Sequence, residues 1–252
     1  MENDYIVGLI KFISPEYSDD FENDKLYFNT LQTYHGIEHE EIGDNLEGVI
    51  SKKYGDENVQ NGLTLCYQIK GDPKVYSFPI NTAVDKITPV KAEEMYINCF
   101  SELWFSDLEL YKDNILKVKE TYIESLKDIH DGRNIYVTAG AEKDSFLKAV
   151  ERYGHTNGFD FIGKGVTYFK NTHPMYNNLK NTKKLSRDDY INSCFCKNIK
   201  YQNQNEYRLL FIGLKSNIVE IKNMYKDWIK VDSLKDIKVV TGTKEEVEKY
   251  LK

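Results

Sequence analysis

The chain has 252 residues, of which 40% are hydrophobic and 29% are charged, and its formal net charge is −6. That length is sufficient for a substantial core, and the apolar fraction excludes a wholly disordered chain. The acidic balance argues against strong, non-specific nucleic-acid binding, which needs a basic surface to neutralise phosphates.

The predicted elements of the first half of the chain are mostly strands. Ile6–Phe12 is the first, and Ser14 and Pro15 then favour a short helix to about Asn23, because proline suits the first position of a helix. The apolar residues of Leu108–Ile129 recur near helical spacing and predict one long amphipathic helix. Further strands are predicted at 25–29, 48–54, 63–70, 75–79 and 94–103.

In the second half of the chain, one helix is predicted at 142–152. The capping box of Thr243 and Glu246 predicts another at the C-terminal end, up to Leu251. Strands outnumber helices and do not alternate strictly with them, which favours an α+β fold. We therefore expect one domain over residues 1–252, with a mixed, mostly antiparallel sheet and flanking helices. The predicted strands of this half are 134–138, 166–169, 191–197, 206–212, 218–221 and 237–240.

Several features predict a cytoplasmic protein without a metal. No run of 18 apolar residues occurs, and the acidic start of the chain lacks the layout of a signal peptide, so we expect no membrane partner. The four cysteines lie in apolar, strand-like surroundings typical of small buried side chains. His35 and His39 have metal-ligand spacing beside several acids, but Gly36 weakens the helix that this spacing needs, and a solvated acidic helix end is favoured.

One polar constellation stands out, because the chain has no Gly-rich phosphate loop, no G-x-S-x-G elbow and no H-E-x-x-H motif. On a strand, Gln204, Glu206 and Arg208 would share one face while Tyr207 points the other way. An acid placed between an amide and a guanidinium belongs either to a structural ion pair or to a functional site. On a second predicted strand, the hydroxyl of Ser101 follows two apolar residues of the same face.

These motifs resemble an uncharacterised bacterial and prophage domain family, some of whose members are linked with abortive infection. The family tends to have Glu at the position of Gln204 and Asp at that of Asn198. The resemblance implies an effector of anti-phage defence, of the abortive-infection or toxin type. The matching pieces are Lys11-Phe12, Lys25 to Leu31, Gly43-Asp44 with Glu47-Gly48, Cys99-Phe100-Ser101 and Lys197 to Arg208.

The same layout is similar, more distantly, to the ADP-ribosyltransferases, which surround NAD with a polar residue on an early strand, a serine on a middle strand and a late [QE]-x-E turn. The resemblance implies a split sheet, NAD as substrate and a protein or nucleic-acid acceptor. Ser101 would position the strands around the nicotinamide ribose, Glu206 would stabilise an oxocarbenium-like transition state, and Gln204 would orient the acceptor. The remaining substrate-binding positions are Lys11, Asn29, Asp44, Tyr207 and Arg208.

Two other function classes stay open at this point. The chain could be a non-catalytic module that binds or senses a phage protein, with Glu206 and Arg208 in a structural pair. It could also be a ribonuclease that uses the basic and aromatic loop Tyr168–Lys184, although a solvated surface loop is the favoured interpretation of that segment. Convergence of Gln204, Glu206 and Ser101 in one cleft would favour the enzyme, and their separation by a packed core would favour the binding module.

Overall fold

The computed structural model describes residues 4–35, 49–54, 63–68, 74–80, 83–87, 92–176 and 186–240. The sequence predicted one domain, and the chain groups into two compact units. Unit 1 comprises Met1–Asn45, Lys91–Val166 and Tyr201–Lys252, and unit 2 comprises Leu46–Val90 and Thr167–Lys200. Each unit is therefore built from separated stretches of the chain, and each is described by itself below.

The fold is α+β, as predicted, with helices and mostly antiparallel strand pairs. The described strands are β1 (Ile6–Ile13), β2 (Lys25–Tyr27), β3 (Asn29–Thr30), β4 (Ile50–Tyr54), β5 (Leu63–Gln68), β6 (Val75–Ile80), β7 (Ala83–Ile87), β8 (Met95–Trp104), β9 (Leu108–Lys112), β10 (Ile115–Val118), β11 (Asn134–Ala139), β12 (Asp160–Gly165), β13 (Thr167–Phe169), β14 (Cys196–Asn198), β15 (Glu206–Ile212), β16 (Ile218–Glu220), β17 (Ile229–Val231) and β18 (Lys238–Val240). The described α-helices are α1 (Ser18–Glu22), α2 (Leu31–His35), α3 (Glu120–Ser125), α4 (Lys127–His130), α5 (Gly140–Asn157) and α6 (Arg187–Ser193).

The principal sheet of unit 1 has the strand order β12-β15-β8-β1-β11-β17, and β3 also pairs with β8. All of its neighbouring strands are antiparallel. The central strand β8 is almost continuously buried, as expected for a strand with neighbours on both sides and cores on both faces. Two smaller sheets of the same unit join β9, β10 and β18, and β2 with β16.

Each face of the principal sheet packs against its own core. One face carries Phe100, Tyr136 and Phe211, which pack with Phe146 and Val150 of α5. The other face carries apolar residues that pack with the helix α3 and with a short 3-10 helix at Leu234–Asp236. The members of this second core are Ile10, Leu103, Leu108, Val118, Tyr122, Ile123, Leu126, Ile135, Val137, Leu234 and Ile237. Because side chains alternate along a strand, this arrangement fixes which residues of β8 and β15 share a face.

Unit 2 contains two antiparallel pairs, β4 with β7 and β5 with β6, and the parallel pair β13 with β14. Ile50 and Tyr176 form a small apolar cluster, against which Met175 and Tyr190 pack. The helix α6 begins at Ser186, whose side chain accepts a hydrogen bond from the Asp189 backbone N–H. The Asp189 carboxylate in turn accepts a hydrogen bond from the Ser186 backbone N–H, so the helix start is a complete capping box.

Two predicted elements were wrong. The long helix over Leu108–Ile129 is instead the hairpin β9–β10 followed by the short helices α3 and α4. The connection between the strands is Asp113-Asn114, and Asp113 has a positive φ of 47°, which a helix does not tolerate. The predicted strand 191–197 began too early: residues 191–193 end the helix α6, which the capping box at Ser186 starts, and only 196–197 are strand, as the beginning of β14.

Most other predicted strands of the described ranges are confirmed, and three short strands had no prediction. Those three are β7, β12 and β17. The predicted C-terminal helix from Thr243 lies outside the described residues. None of the helices in the described part of the chain is both long and apolar enough to cross a membrane.

Candidate functional site

Ser101 and Glu206 lie directly opposite one another on the neighbouring strands β8 and β15. The two strands that carry them therefore belong to one sheet. The next pair on the same face is Cys99 with Arg208. Ser101 and Glu206 are both about 5% exposed, so this pair lies within the packed sheet.

Glu206 is held by Arg208 of its own strand. The Arg208 Nε lies 2.6 Å from Glu206 Oε1, and both side chains are buried. A guanidinium and a carboxylate removed from water together need this charge-assisted contact, because each alone would carry a large desolvation cost. This contact matches the structural ion pair that the sequence offered as one interpretation of Glu206.

Gln204 does not lie on the strand with Glu206, contrary to the prediction. It is the last residue of a 3-10 helix, Ile199–Gln204, and Asn205 then takes a positive φ of 42°. This left-handed residue reverses the chain, so the alternation that would align Gln204 with Glu206 and Arg208 begins only at Glu206. The three residues therefore do not form one row on the sheet.

Tyr207 points to the opposite face, as predicted, and packs against the core beside α5. Near it lies a buried acid that the sequence did not single out, Glu102, whose Oε2 accepts a hydrogen bond from Trp104 Nε1 at 3.0 Å. Glu102 Oε1 is buried with no hydrogen-bond donor among the described residues. Burial, with a smaller contribution from the charge of Glu206, raises the pKa of Glu102 to about 7.

A cleft of 360 Å³ opens at the ends of β1, β2 and β3 and contains two of the predicted binding residues, Lys11 and Asn29. Neither Ser101 nor Glu206 lines it. Ile10 is the residue of β1 that pairs with Ser101, so Lys11, the next residue, has the alternate orientation. The remaining polar and aromatic lining comes from Phe12, Ser14, Tyr17, Asp20, Phe21, Lys25, Tyr27, Tyr34 and Asn98.

The amino group of Lys11 is fixed by two acceptors of β8. Its Nζ donates to Asn98 Oδ1 at 2.8 Å and to the Cys99 carbonyl oxygen at 2.7 Å, and it lies 4.8 Å from the centre of the Phe100 ring. The Asn98 amide is itself held, since its Nδ2 donates to the Tyr27 carbonyl oxygen at 2.8 Å. A lysine ammonium has three N–H donors, so one remains for a ligand in the cleft.

Burial also lowers the pKa of Lys11 to about 8. The negative charge of Glu206 partly opposes this shift, and the positive charge of Arg133 adds to it. The amine is therefore charged at neutral pH and loses its proton in mildly alkaline solution. The charged amine is buried at a desolvation cost, and no carboxylate of the described residues forms an ion pair with it. Such a cation suits the binding of an anionic or strongly polar group.

Two tyrosines at the cleft are unusually exposed. Tyr17 is 57% exposed and Tyr27 is 50% exposed, and their rings stack with centroids 6.2 Å apart and an interplanar angle of 10°. Exposed flat rings beside a polar pocket are typical surfaces for a planar ligand group. Ile218, which is 45% exposed, adds a further apolar contact surface to the lining.

The sequence missed Asn98, Tyr17, Tyr27 and Glu102. Asn98 carried a usable signal, because an amide between Ile97 and Cys99 in a strongly apolar strand needs a polar partner. The tyrosines carried none, since a strand or a turn accepts tyrosine for packing alone. Asp44, predicted to bind substrate, lies outside the described residues, as do Glu47 and His39.

Neither the metal-site interpretation nor the ribonuclease hypothesis gains a site in the described ranges. No group of three or more His, Cys, Asp or Glu residues there could hold a metal ion. The loop of the ribonuclease hypothesis is described only to Tyr176, and its histidine, His173, is buried. His173 Nδ1 accepts the Met175 backbone N–H, and burial lowers its pKa to about 4, so it is neutral and poorly suited to general acid catalysis.

Comparisons of the chain with protein-family models, with curated proteins and with solved structures found no match. The resemblance to abortive-infection proteins and to ADP-ribosyltransferases therefore stays a prediction from short motifs.

Proposed function

We propose that the chain is a ligand-binding sensor protein of phage–host conflict, and that its ligand-binding site is the cleft around Lys11. The observation that carries this proposal is the Lys11 amine, which is held by Asn98 and Cys99 and keeps one donor for the cleft. The phage–host context is supported by the family resemblance of the sequence motifs. A binding role is favoured over catalysis because Glu206 is held in a buried ion pair and Gln204 lies off the strand.

The chemistry of the cleft favours a ligand with one anionic group and one flat ring. Lys11 supplies positive charge, Asn29 supplies an amide, and the exposed rings of Tyr17 and Tyr27 supply stacking surfaces. A volume of 360 Å³ is near the lower end of the range for small-molecule sites. The cleft therefore fits a mononucleotide or one half of NAD better than a whole dinucleotide.

Calorimetric titration with NAD and with nicotinamide mononucleotide tests this site. We expect the mononucleotide to bind more tightly, and Lys11→Met to weaken its binding by about tenfold or more, since a hydrogen bond to a charged group contributes about 1.5–3 kcal/mol. The matched control is Lys117→Met, because Lys117 is an exposed lysine of β10 that does not line the cleft. Equal affinity of the two variants and the wild type would reject the cleft as the site.

The biological part of the proposal needs a cellular test. Cells that express the wild-type protein or Lys11→Met are challenged with a panel of phages, and plaque formation and growth are followed. A sensor role predicts that the wild type changes the outcome of infection for at least one phage and that Lys11→Met does not, at equal protein level. The same protection by both proteins would contradict a role for the cleft.

A second candidate is an NAD-dependent, ADP-ribosyltransferase-like effector. One observation favours it, the direct cross-strand pairing of Ser101 and Glu206, which the resemblance assigns to the NAD site. This candidate requires Arg208 to release Glu206 when substrate binds, because the carboxylate is otherwise engaged at 2.6 Å. Expression with and without Glu206→Ala, followed by cell growth and cellular NAD level, tests it. Unchanged NAD in cells that express the wild type would reject it.

A further inference from the structure

A second concave surface of unit 1 lies between α5 and the turn that follows β16. It is a depression of 530 Å³, and its basic side chains are Lys148 and Arg152 from α5 and Lys222 and Lys226 from the turn. All four are exposed. We call this surface the α5 basic depression. It shares no lining residue with the cleft around Lys11.

These four cations differ from several other lysines of the chain. Lys25, Lys117, Lys230 and Lys235 each have a carboxylate oxygen within 3.0 Å. Within the described residues, by contrast, no ion pair involves the four cations of the depression. This is unexpected in a chain that has more acidic than basic residues.

Two acids, Asp144 and Asp227, also line the depression, so its lining carries four positive and two negative charges. Asp144 lies 3.6 Å from Lys143, which is outside the lining, and Asp227 is only 9% exposed. Lys148 and Arg152 are four residues apart on one helix, a spacing at which like charges destabilise the helix. An anion that bridges the two sides of the depression would relieve this repulsion as well as contact the cations directly.

We propose that the α5 basic depression binds a small ligand that carries two or more clustered phosphate groups. Four cations around one concavity match several negative charges held close together, which a single carboxylate does not provide. A small ligand is favoured over a nucleic-acid strand, because a long polyanion would extend past the depression onto a protein with a net charge of −6. This site is independent of the one proposed around Lys11.

The test uses inorganic triphosphate as the probe, in calorimetric titrations of the full chain at about 0.15 M salt. The test variant is Lys148→Gln with Lys222→Gln, which removes one cation from each side of the depression. The matched control is Lys117→Gln with Lys235→Gln, which removes the same net charge from exposed lysines elsewhere. Melting temperatures of both variants should stay close to that of the wild type, since all four residues are exposed.

We expect the wild type and the control to bind triphosphate alike, and the test variant to bind it about tenfold or more weakly. Absence of triphosphate binding to the wild type, or equal weakening in both variants, would overturn the proposal. A single-stranded RNA oligonucleotide is titrated in parallel. If it binds more tightly than triphosphate and depends on the same two lysines, the small-ligand assignment is wrong.

Discussion

Glu206 and Arg208, two residues apart on β15, form an ion pair of 2.6 Å with both side chains buried. Because they share one face of the strand, the carboxylate and the guanidinium contact each other directly and offset each other's charge inside the sheet. Removing the charge of Glu206 should therefore affect stability if its role is structural and activity alone if its role is catalytic.

Glu206→Gln keeps the shape of the side chain but removes the negative charge that faces Arg208. We expect a clear fall in melting temperature, corresponding to about 3–5 kcal/mol of the free energy of unfolding, because the guanidinium stays buried. The control is Glu109→Gln, whose partner Lys117 is an exposed residue and whose loss should cost less than about 1 kcal/mol. Lost activity at an unchanged melting temperature would instead assign Glu206 to catalysis.

Lys11 should make the free energy of unfolding depend on pH in the alkaline range. Its pKa is about 8 in the folded chain against an ordinary value of 10.5, so the unfolded chain binds its proton more tightly in this interval. The contribution of Lys11 to the free energy of unfolding therefore rises as the pH increases from about 8 to 10.5. Denaturant unfolding of the wild type and Lys11→Met across this range measures it. The difference between the two proteins should change with pH in that direction, and a constant difference would contradict the shifted pKa.

The same pKa governs ligand binding in the cleft. Since the ammonium is the form that attracts an anion, affinity should fall as the pH rises through about 8. Titration of nicotinamide mononucleotide at a series of pH values measures this dependence. An affinity that is flat across that interval would mean that the Lys11 amine does not contact the anionic group.

Glu102 should change the free energy of unfolding with pH in the direction opposite to Lys11, and at lower pH. Its pKa is raised from 4.5 to about 7, so the folded chain holds this proton more tightly than the unfolded chain does. The contribution of Glu102 to the free energy of unfolding thus falls as the pH rises across that interval. Glu102→Gln, which keeps an oxygen acceptor for Trp104, should resemble the wild type at acidic pH and exceed it by about 1–3 kcal/mol above neutrality. Thermal melts of both proteins across this range test the direction.

At the turn of the hairpin β9–β10, a glycine substitution should have the opposite effect on stability from the one it would have in a helix. Asp113 has a φ of 47°, so Asp113→Gly should maintain or raise the melting temperature, because glycine adopts this conformation without strain. In a continuous helix the same change would lower stability by about 0.3 kcal/mol, because glycine is a slightly poorer helix former than aspartate. Asp128→Gly, at an exposed position of α4, is the matched control and should show that loss.

The strands that the sequence predicted well are those that lie in the interior of a sheet, where every strand must be apolar enough to be buried. β1, β8, β11 and β15 form the interior of the principal sheet, where continuous apolar runs have few alternatives to a buried strand. The prediction for the segment after Leu108 was wrong because the spacing of its apolar residues fits a helix and a pair of strands equally well. The two-residue connection Asp113-Asn114 was the local signal that decides between them.

The candidate site was predictable in part. Lys11 and Asn29 were binding positions implied by the resemblance, and both line one cleft. The placement of Gln204 was not predictable from alternation, because it depends on the left-handed conformation of Asn205. The exposed stack of Tyr17 and Tyr27 joins a 3-10 helix to a strand, and no spacing rule reports such a tertiary contact.

The order of the principal sheet has a consequence for how the chain folds. None of its described strands pairs with a strand adjacent in sequence, so no local hairpin can nucleate it, and loop closure over long separations should make folding slow. During synthesis, β8 and β12 emerge before β15, the strand that lies between them. Until Glu206–Ile212 has left the ribosome, both strands keep an open edge, and a nascent chain in that state is exposed to aggregation.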